Sequence, residues 1–247
     1  MAAVLKARVI KTEVYNDDTI YVNCEMVEPY ELGFKGGQYI IVNSGKLLAN
    51  GKLGKRAYSI PTSDIEQHRF DLVVKKNLNG IGSNFIHDLK ADDTFEFSGP
   101  WGKYQIAEGA REQIFCIATD TGITAALGLL RGKGAMPFLS ESKLIWFLSS
   151  PNYFIPIDKV RSWLPSVFSF QIVSSTPTIV DQSRSSFIEE VTSKILQEKY
   201  FNKIYLSGDG LVLRHLKSKF LESGNYQPEQ IIMESFFHHE SLKTAAV

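Results

Sequence analysis

The 247-residue chain is 44% apolar and 12% aromatic, enough to bury a substantial core, and its length suits one large domain or, better, two of ordinary size. Its 27 basic residues equal its 27 acidic ones, so no net field holds it to nucleic acid or to an anionic membrane surface, and a small-molecule or protein partner is expected. No run approaches a membrane span and the start Met-Ala-Ala-Val-Leu-Lys lacks a signal-peptide core, which predicts a soluble, cytoplasmic protein.

Up to about residue 103 the pattern is β-rich. Strands are expected at Val4 to Val14, Thr19 to Met26, Gln38 to Val42, Arg69 to Lys75 and Thr94 to Ser98. Ahead of the fourth of these lies Arg56-Ala57-Tyr58-Ser59. In extended form it puts Arg56 and Tyr58 on one face and Ser59 on the other. An arginine facing a phosphate, a tyrosine facing a ring and a serine facing a ring nitrogen are partners that a flavin dinucleotide offers. Read alone, the tetrad is the rim of a half-buried strand; the order of the motifs after it changes that reading.

The helix of this half is expected at Ser83 to Lys90, after Gly80-Ile81-Gly82-Ser83 and before Asp92-Asp93. A helix start presents unpaired N–H groups and a positive dipole end to an anion. Locally the segment also reads as a plain serine N-cap. Arg56 and this helix start together would grip one pyrophosphate from two sides. The half as a whole reads as an antiparallel barrel carrying one small helix.

After the turn Gly99-Pro100-Trp101-Gly102, apolar strands alternate with amphipathic helices. Strands are expected at Gln113 to Ala118, Leu144 to Ser149, Phe168 to Ser174, Lys203 to Ser207 and Gln230 to Glu234. Helices fall near Ile123 to Arg131, Ile157 to Leu164, Ser186 to Glu198 and Leu211 to Ser223. That order predicts a doubly wound parallel α/β sheet, with domains at 1–103 and 104–247. Ligands of such sheets sit at the carboxyl ends of the strands, which gathers Thr119 to Ile123, Ser174 to Pro177 and Ser207 to Gly210 at one edge. The turn Thr119-Asp120-Thr121-Gly122-Ile123 has one glycine, and Asp120 would oppose a phosphate unless it turns to solvent or caps the helix. Glu234-Ser235-Phe236-Phe237 ends the last strand beside that cleft, where the phenylalanines read either as core or as a cover for a cofactor ring. His238 and His239 read as solvated tail residues. Cys24 and Cys116 lie in apolar runs and read as reduced core thiols. Two cysteines far apart suggest no metal site and cannot supply an iron–sulfur cluster, which needs about four thiolates or two with two histidines.

Taken together, these motifs resemble the ferredoxin–NAD(P)H reductase superfamily over nearly the whole chain. That pattern runs Arg-x-Tyr-Ser, a Gly-x-x-Ser helix start, Gly-Pro-x-Gly at the junction, Gly-Gly-Thr-Gly-Ile, Cys-Gly and a Glu-x-aromatic ending. The resemblance implies that Arg56 meets the flavin pyrophosphate, with Ala57 beside it, that Tyr58 packs on the isoalloxazine, and that Ser59 lies near its N5. It places the backbone of Val73, Val74 and Lys75 along the flavin, and Gly80, Gly82 and Ser83 at its phosphates. Thr121, Gly122 and Ile123 then lie beside a nicotinamide coenzyme, with Ser174, Ser175, Gly208 and Asp209 along the same edge and Phe236 covering the flavin. Ser59, Ser207 and Glu234 are the implied catalytic group. Three departures stand out: Thr119-Asp120 replaces a glycine pair, with Ala125 where a proline often follows; Ser207 replaces a cysteine; and Ser174-Ser175-Thr176-Pro177 lacks an arginine for a 2′-phosphate, a task left to Arg184 if it folds back.

The resemblance implies an FAD-dependent oxidoreductase, with FMN the lesser choice. It would take hydride from NADH or NADPH, leaning to NADH, and pass electrons to a ferredoxin, a flavodoxin or an oxygenase component, with no general base. A non-catalytic flavin- or nucleotide-binding interaction module on the same fold is the alternative. A reductase of free flavin is a third reading. Trp101 or Tyr104 would stack on an adenine or sit in the core.

Overall fold

The computed structural model describes residues 3–48, 50–107, 109–110, 113–150, 153–166, 168–174, 176–179 and 181–237. The first half forms β1 (Leu5–Asn16), β2 (Thr19–Glu28), β3 (Tyr39–Leu47), β4 (Leu53–Ser59), β5 (Arg69–Lys75) and β6 (Thr94–Trp101), with helix α1 (Ile81–Asp88) between the last two strands. The sheet order is β4-β3-β6-β1-β2-β5, every pairing antiparallel. The end strands β4 and β5 touch, so the sheet curls into a barrel.

Period-two alternation builds its interior. Along β2, Ile20, Val22, Cys24 and Met26 point inward to meet Ile40, Phe70, Leu72 and Phe97, as expected of a strand with one buried face. Phe70 and Phe97 meet edge-on at 5.6 Å. Helix α1 closes this core with Ile86. It starts two residues earlier than its sequence pattern suggests and stops at Asp88, because Leu89 is already extended.

The second half is a parallel sheet of β7 (Ile114–Thr119), β8 (Lys143–Phe147), β9 (Ser169–Val173), β10 (Lys203–Asp209) and β11 (Ile231–Phe237), ordered β11-β10-β7-β8-β9. Its helices are α2 (Ile123–Arg131), α3 (Ile157–Trp163), α4 (Gln182–Glu198) and α5 (Gly210–Glu222). Every residue of β7 is buried, the mark of a central parallel strand covered on both faces. Cys116, Ala118, Leu144 and Trp146 face the α2 and α3 side, while Phe115, Ile117, Ile145 and Phe147 face Ile188 of α4 and Val212 of α5. Helix α4 begins four residues before its expected start, since the Asp181 side chain caps it by accepting from the Arg184 N–H.

The halves are tightly joined. A Cβ on Gly128 of α2 would stand 2.1 Å from the Ile60 carbonyl oxygen just past β4, so only glycine lets the helix lie this close. Asp64 accepts from the backbone N–H groups of Gly36 at 3.0 Å and Lys133 at 2.7 Å. Arg131 donates to the Pro61 carbonyl at 2.6 Å. The order of strands reverses between β7 and β10, which fixes the crevice at their carboxyl ends, facing the barrel.

Candidate functional site

A cleft of about 350 Å³ opens between β4, β5 and the start of α1 on one side and the carboxyl ends of β7 and β11 on the other. Arg56, Ala57, Tyr58, Ser59, Val73, Val74, Lys75, Gly80 and Ser83 line its barrel side. Thr121, Glu234 and Phe236 line the opposite side. A larger cavity of about 670 Å³, bounded by Phe34, Ile106, Pro137 and Phe138, holds none of these residues. The larger cavity also has charged and polar walls, Lys35, Asp64, Gln67 and Lys133, but the smaller cleft is the one that gathers the expected site residues.

On β4, Arg56 and Ala57 are exposed, Tyr58 is half-buried and Ser59 is buried to 7% exposure. Among the described residues, the guanidinium donates to the Lys55 carbonyl, at 2.8 Å. Burial pushes the Tyr58 phenol well above its ordinary range, with Arg56 pulling the other way, so the hydroxyl stays protonated. Gly82 does not line the cleft but supports it. A Cβ there would lie 2.6 Å from Arg56 Cγ and 2.9 Å from Tyr58 Oη, so the helix start seats both side chains.

Ser83 Oγ accepts from the Asn77 N–H at 3.0 Å and donates to the Gly80 carbonyl at 3.1 Å, which folds the 77–80 turn onto the helix. The N-cap, Gly80, supplies no side-chain hydrogen bond, and the first N–H groups of α1 are left for an anion. Asn84 Oδ1, one turn on, is buried with no partner among the described residues. An exposed arginine, open helix-end donors, an aromatic face and a serine suit a ligand with phosphates and a flat heteroaromatic ring.

Across the cleft, burial raises the Glu234 carboxyl above the usual range. The nearby Tyr39 phenol is raised by its own burial and then by the Glu234 charge. Gly102 separates them. Its Cβ would lie 3.1 Å from the Tyr39 ring and 3.8 Å from Glu234 Oε2. Thr124 Oγ1 donates to the Thr121 carbonyl at 3.0 Å, fixing the turn that faces the ligand.

Several expected site residues lie outside the cleft lining. Ser207 is 0% exposed and its Oγ accepts from the Tyr104 hydroxyl at 3.4 Å. Gly122 packs against the Ser207 carbonyl and Gly208 against Thr119. Ile123 is buried in the core. Asp209 caps α5, accepting from Leu211 N at 2.8 Å and Val212 N at 3.3 Å. Ser174 is exposed at the end of β9, and Ser175, His238 and His239 lie outside the described residues, as does the Phe237 side chain.

Two expectations are corrected. Asp120 neither turns free to solvent nor caps α2: it accepts from Arg184 Nη2 at 2.6 Å. Arg184 therefore does not fold back to an open phosphate site but is buried on that carboxylate, because a guanidinium shut off from water needs a counter-charge. Of the two aromatic candidates at the junction, Tyr104 is core, edge-on to Tyr205 at 5.2 Å, whereas Trp101 is 39% exposed. Both cysteines are buried and neither forms a disulfide, and burial raises the Cys24 thiol.

The lining also includes Tyr39, Asn77, Thr124, Phe154 and Ser235. Tyr39 is the register partner of Ser59, so strand pairing was the signal that would have found it. Among the described residues no group of three or more His, Cys, Asp or Glu is placed to hold a metal ion. No helix among them is long and apolar enough to cross a membrane.

Residues 6–106 match the family model of the oxidoreductase FAD-binding domain. NADH-cytochrome b5 reductase 1 of Mycosarcoma maydis is 36% identical over 100 residues, 40% of this chain and 30% of that protein. Ferredoxin–NADP reductase B of Sorangium cellulosum is 36% identical over 98 residues, 40% of this chain and 39% of that protein. The matched segment thus spans about a third of these relatives' length. In solved structures, a ferredoxin NADP+ reductase from Neisseria gonorrhoeae with bound FAD and NADP superposes with TM-score 0.72 at 16% identity, covering 96% of this chain and 100% of that one. Phthalate dioxygenase reductase superposes at 0.71 and 20% identity, covering 97% of this chain and 70% of that one. At these identities the structural likeness is one of fold.

Proposed function

We propose that this chain, whose residues 6–106 match the oxidoreductase FAD-binding domain and whose two-sheet fold is that of ferredoxin reductase-type structures, is an FAD-dependent oxidoreductase that draws electrons from NAD(P)H and hands them to a ferredoxin- or flavodoxin-like carrier or an oxygenase component. The observation that carries this reading is the single cleft shared by Arg56, Tyr58, Ser59 and Ser83 with Thr121, Glu234 and Phe236. Residues 1–103 serve the flavin and residues 104–247 the nicotinamide coenzyme.

Bound flavin supplies the step from a two-electron donor to one-electron acceptors. The protein supplies placement. Arg56 and the open N–H groups at the start of α1 hold the pyrophosphate. Tyr58, protonated and braced by Gly82, offers its ring to the isoalloxazine, while the backbone of Val73 to Lys75 lies along it. Ser59 Oγ, with no hydrogen bond to another described residue, offers one at N5. Glu234 tunes the polarity of the nicotinamide site, and burial inclines it to its neutral form. Phe236, which lines the cleft, would cover one face of a bound flavin and would have to yield to an incoming nicotinamide. Ser207 and Asp209 act indirectly, by fixing Tyr104 and the start of α5. Hydride transfer between a bound nicotinamide and a bound flavin would need no general base from the protein.

Anaerobic mixing of the flavin-loaded protein with NADH and with NADPH tests this reading. Rapid bleaching of the flavin band by either coenzyme is expected. A band that persists with both coenzymes would leave a flavin-binding module with no hydride donor of its own.

A further inference from the structure

Asp120 and Arg184 meet where β7, β8 and the connection from β9 to α4 all end. Arg184 is 0% exposed. Its Nη2 donates to Asp120 Oδ2 at 2.6 Å and its Nη1 to the Pro177 carbonyl at 3.0 Å, while Nε has no partner among the described residues. The Asp120 side chain is 33% exposed and is thus the solvent-facing member of the pair. Its Oδ1 also accepts from Ser149 N at 2.8 Å and Ser149 Oγ at 2.7 Å. Asp120 holds this position with a left-handed backbone, φ 45°, a conformation that glycine adopts more easily and that aspartate and asparagine tolerate.

A doubly wound sheet receives a dinucleotide at these carboxyl ends. A coenzyme whose nicotinamide met Thr121 and Glu234 in the cleft would extend along the remaining carboxyl ends, those of β8 and β9 in the order β11-β10-β7-β8-β9, where this pair sits. There the guanidinium is already neutralised. An added phosphate on the adenosine ribose brings about two negative charges up to a carboxylate and finds no free cation in the pair.

We propose that Asp120 is a specificity-determining residue: by occupying Arg184 it withholds that cation from a ribose 2′-phosphate and selects the coenzyme that lacks one. This rests on the nicotinamide-coenzyme reading above and deepens it. Asp120→Asn keeps an acceptor for Ser149 and tolerates the backbone while removing the counter-charge. Arg184 then has positive charge to offer an incoming anion.

The test is equilibrium binding of adenosine 2′,5′-bisphosphate and adenosine 5′-monophosphate by calorimetry, with no turnover involved. The wild-type protein is expected to bind the bisphosphate no more tightly than the monophosphate. In D120N the ratio should shift by about tenfold toward the bisphosphate, and D120N/R184M should return it to the wild-type value. A wild-type protein that prefers the bisphosphate tenfold overturns the proposal, and that measurement needs no variant to fold. Binding of both nucleotides with an unchanged ratio in a folded D120N overturns it as well and leaves the coenzyme reading standing. Binding of neither nucleotide by any of the three proteins overturns both.

Discussion

Ser59 and Glu234 face one cleft from opposite halves of the chain, and each makes a prediction that a single side chain decides. Replacing Ser59 by alanine removes one hydrogen bond, worth on the order of 1 kcal/mol. Flavin reduction by NAD(P)H should slow by about fivefold while bound flavin per chain stays unchanged; stopped-flow absorbance reads the first and the spectrum of the purified variant the second. Glu234 is raised above its unfolded value of 4.5 by burial. The folded state therefore holds this proton more tightly than the unfolded chain, and stability falls as pH rises from about the unfolded value through the folded one. Glu234→Gln removes that loss. Wild type should be destabilised relative to the variant on going from pH 4 to pH 7, as read in paired thermal melts, and parallel curves would show that burial does not govern this carboxyl. At this scale the sequence was informative where neighbours in the chain are neighbours in space. Arg56, Tyr58, Val73 to Lys75 and Ser83 could be placed from local pattern and motif. The enclosure of Ser207 depends on Tyr104, 103 residues away, and the pairing of Asp120 with Arg184 spans 64 residues, so neither was legible.

Elements were legible where burial is complete or strictly periodic. The continuous apolar run of β7 and the alternation of β2 announce a covered parallel strand and a half-buried antiparallel one. Element ends were less so. The expected starts of α1 and α4 were late because their first turns carry polar or glycine residues whose helical state is fixed by tertiary contacts and by the Asp181 cap. The packing of α2 against the barrel was invisible in sequence, since it rests on Gly128 lying under the Ile60 carbonyl. Gly128→Ala puts a methyl group into backbone that has no flexible side chain to yield. It should cost about 1–3 kcal/mol, measured as a lower denaturant midpoint, and an unchanged midpoint would mean that helix and barrel are not held this closely in solution.

Across the whole molecule, the cleft exists only because barrel and sheet are fixed against each other. Asp64 is 8% exposed and joins the two through Gly36 N and Lys133 N. Asp64→Ala leaves two enclosed N–H groups without their acceptor, a loss of about 2–4 kcal/mol at roughly 1–2 kcal/mol each. The wild-type chain should melt in one cooperative transition and the variant at lower temperature with the halves separating into two. A variant with the wild-type melt would remove Asp64 from the junction. The order of motifs gave the barrel-then-sheet layout, whereas this joint is written in backbone contacts that no pattern displays. The most direct measurement on the account as a whole is the visible absorption spectrum of the purified protein, with the released flavin identified after denaturation. One FAD per chain is predicted, held by Arg56, Tyr58 and the start of α1. A protein that takes up no flavin even after reconstitution with FAD and with FMN would contradict the assignment of the cleft and every role built on it.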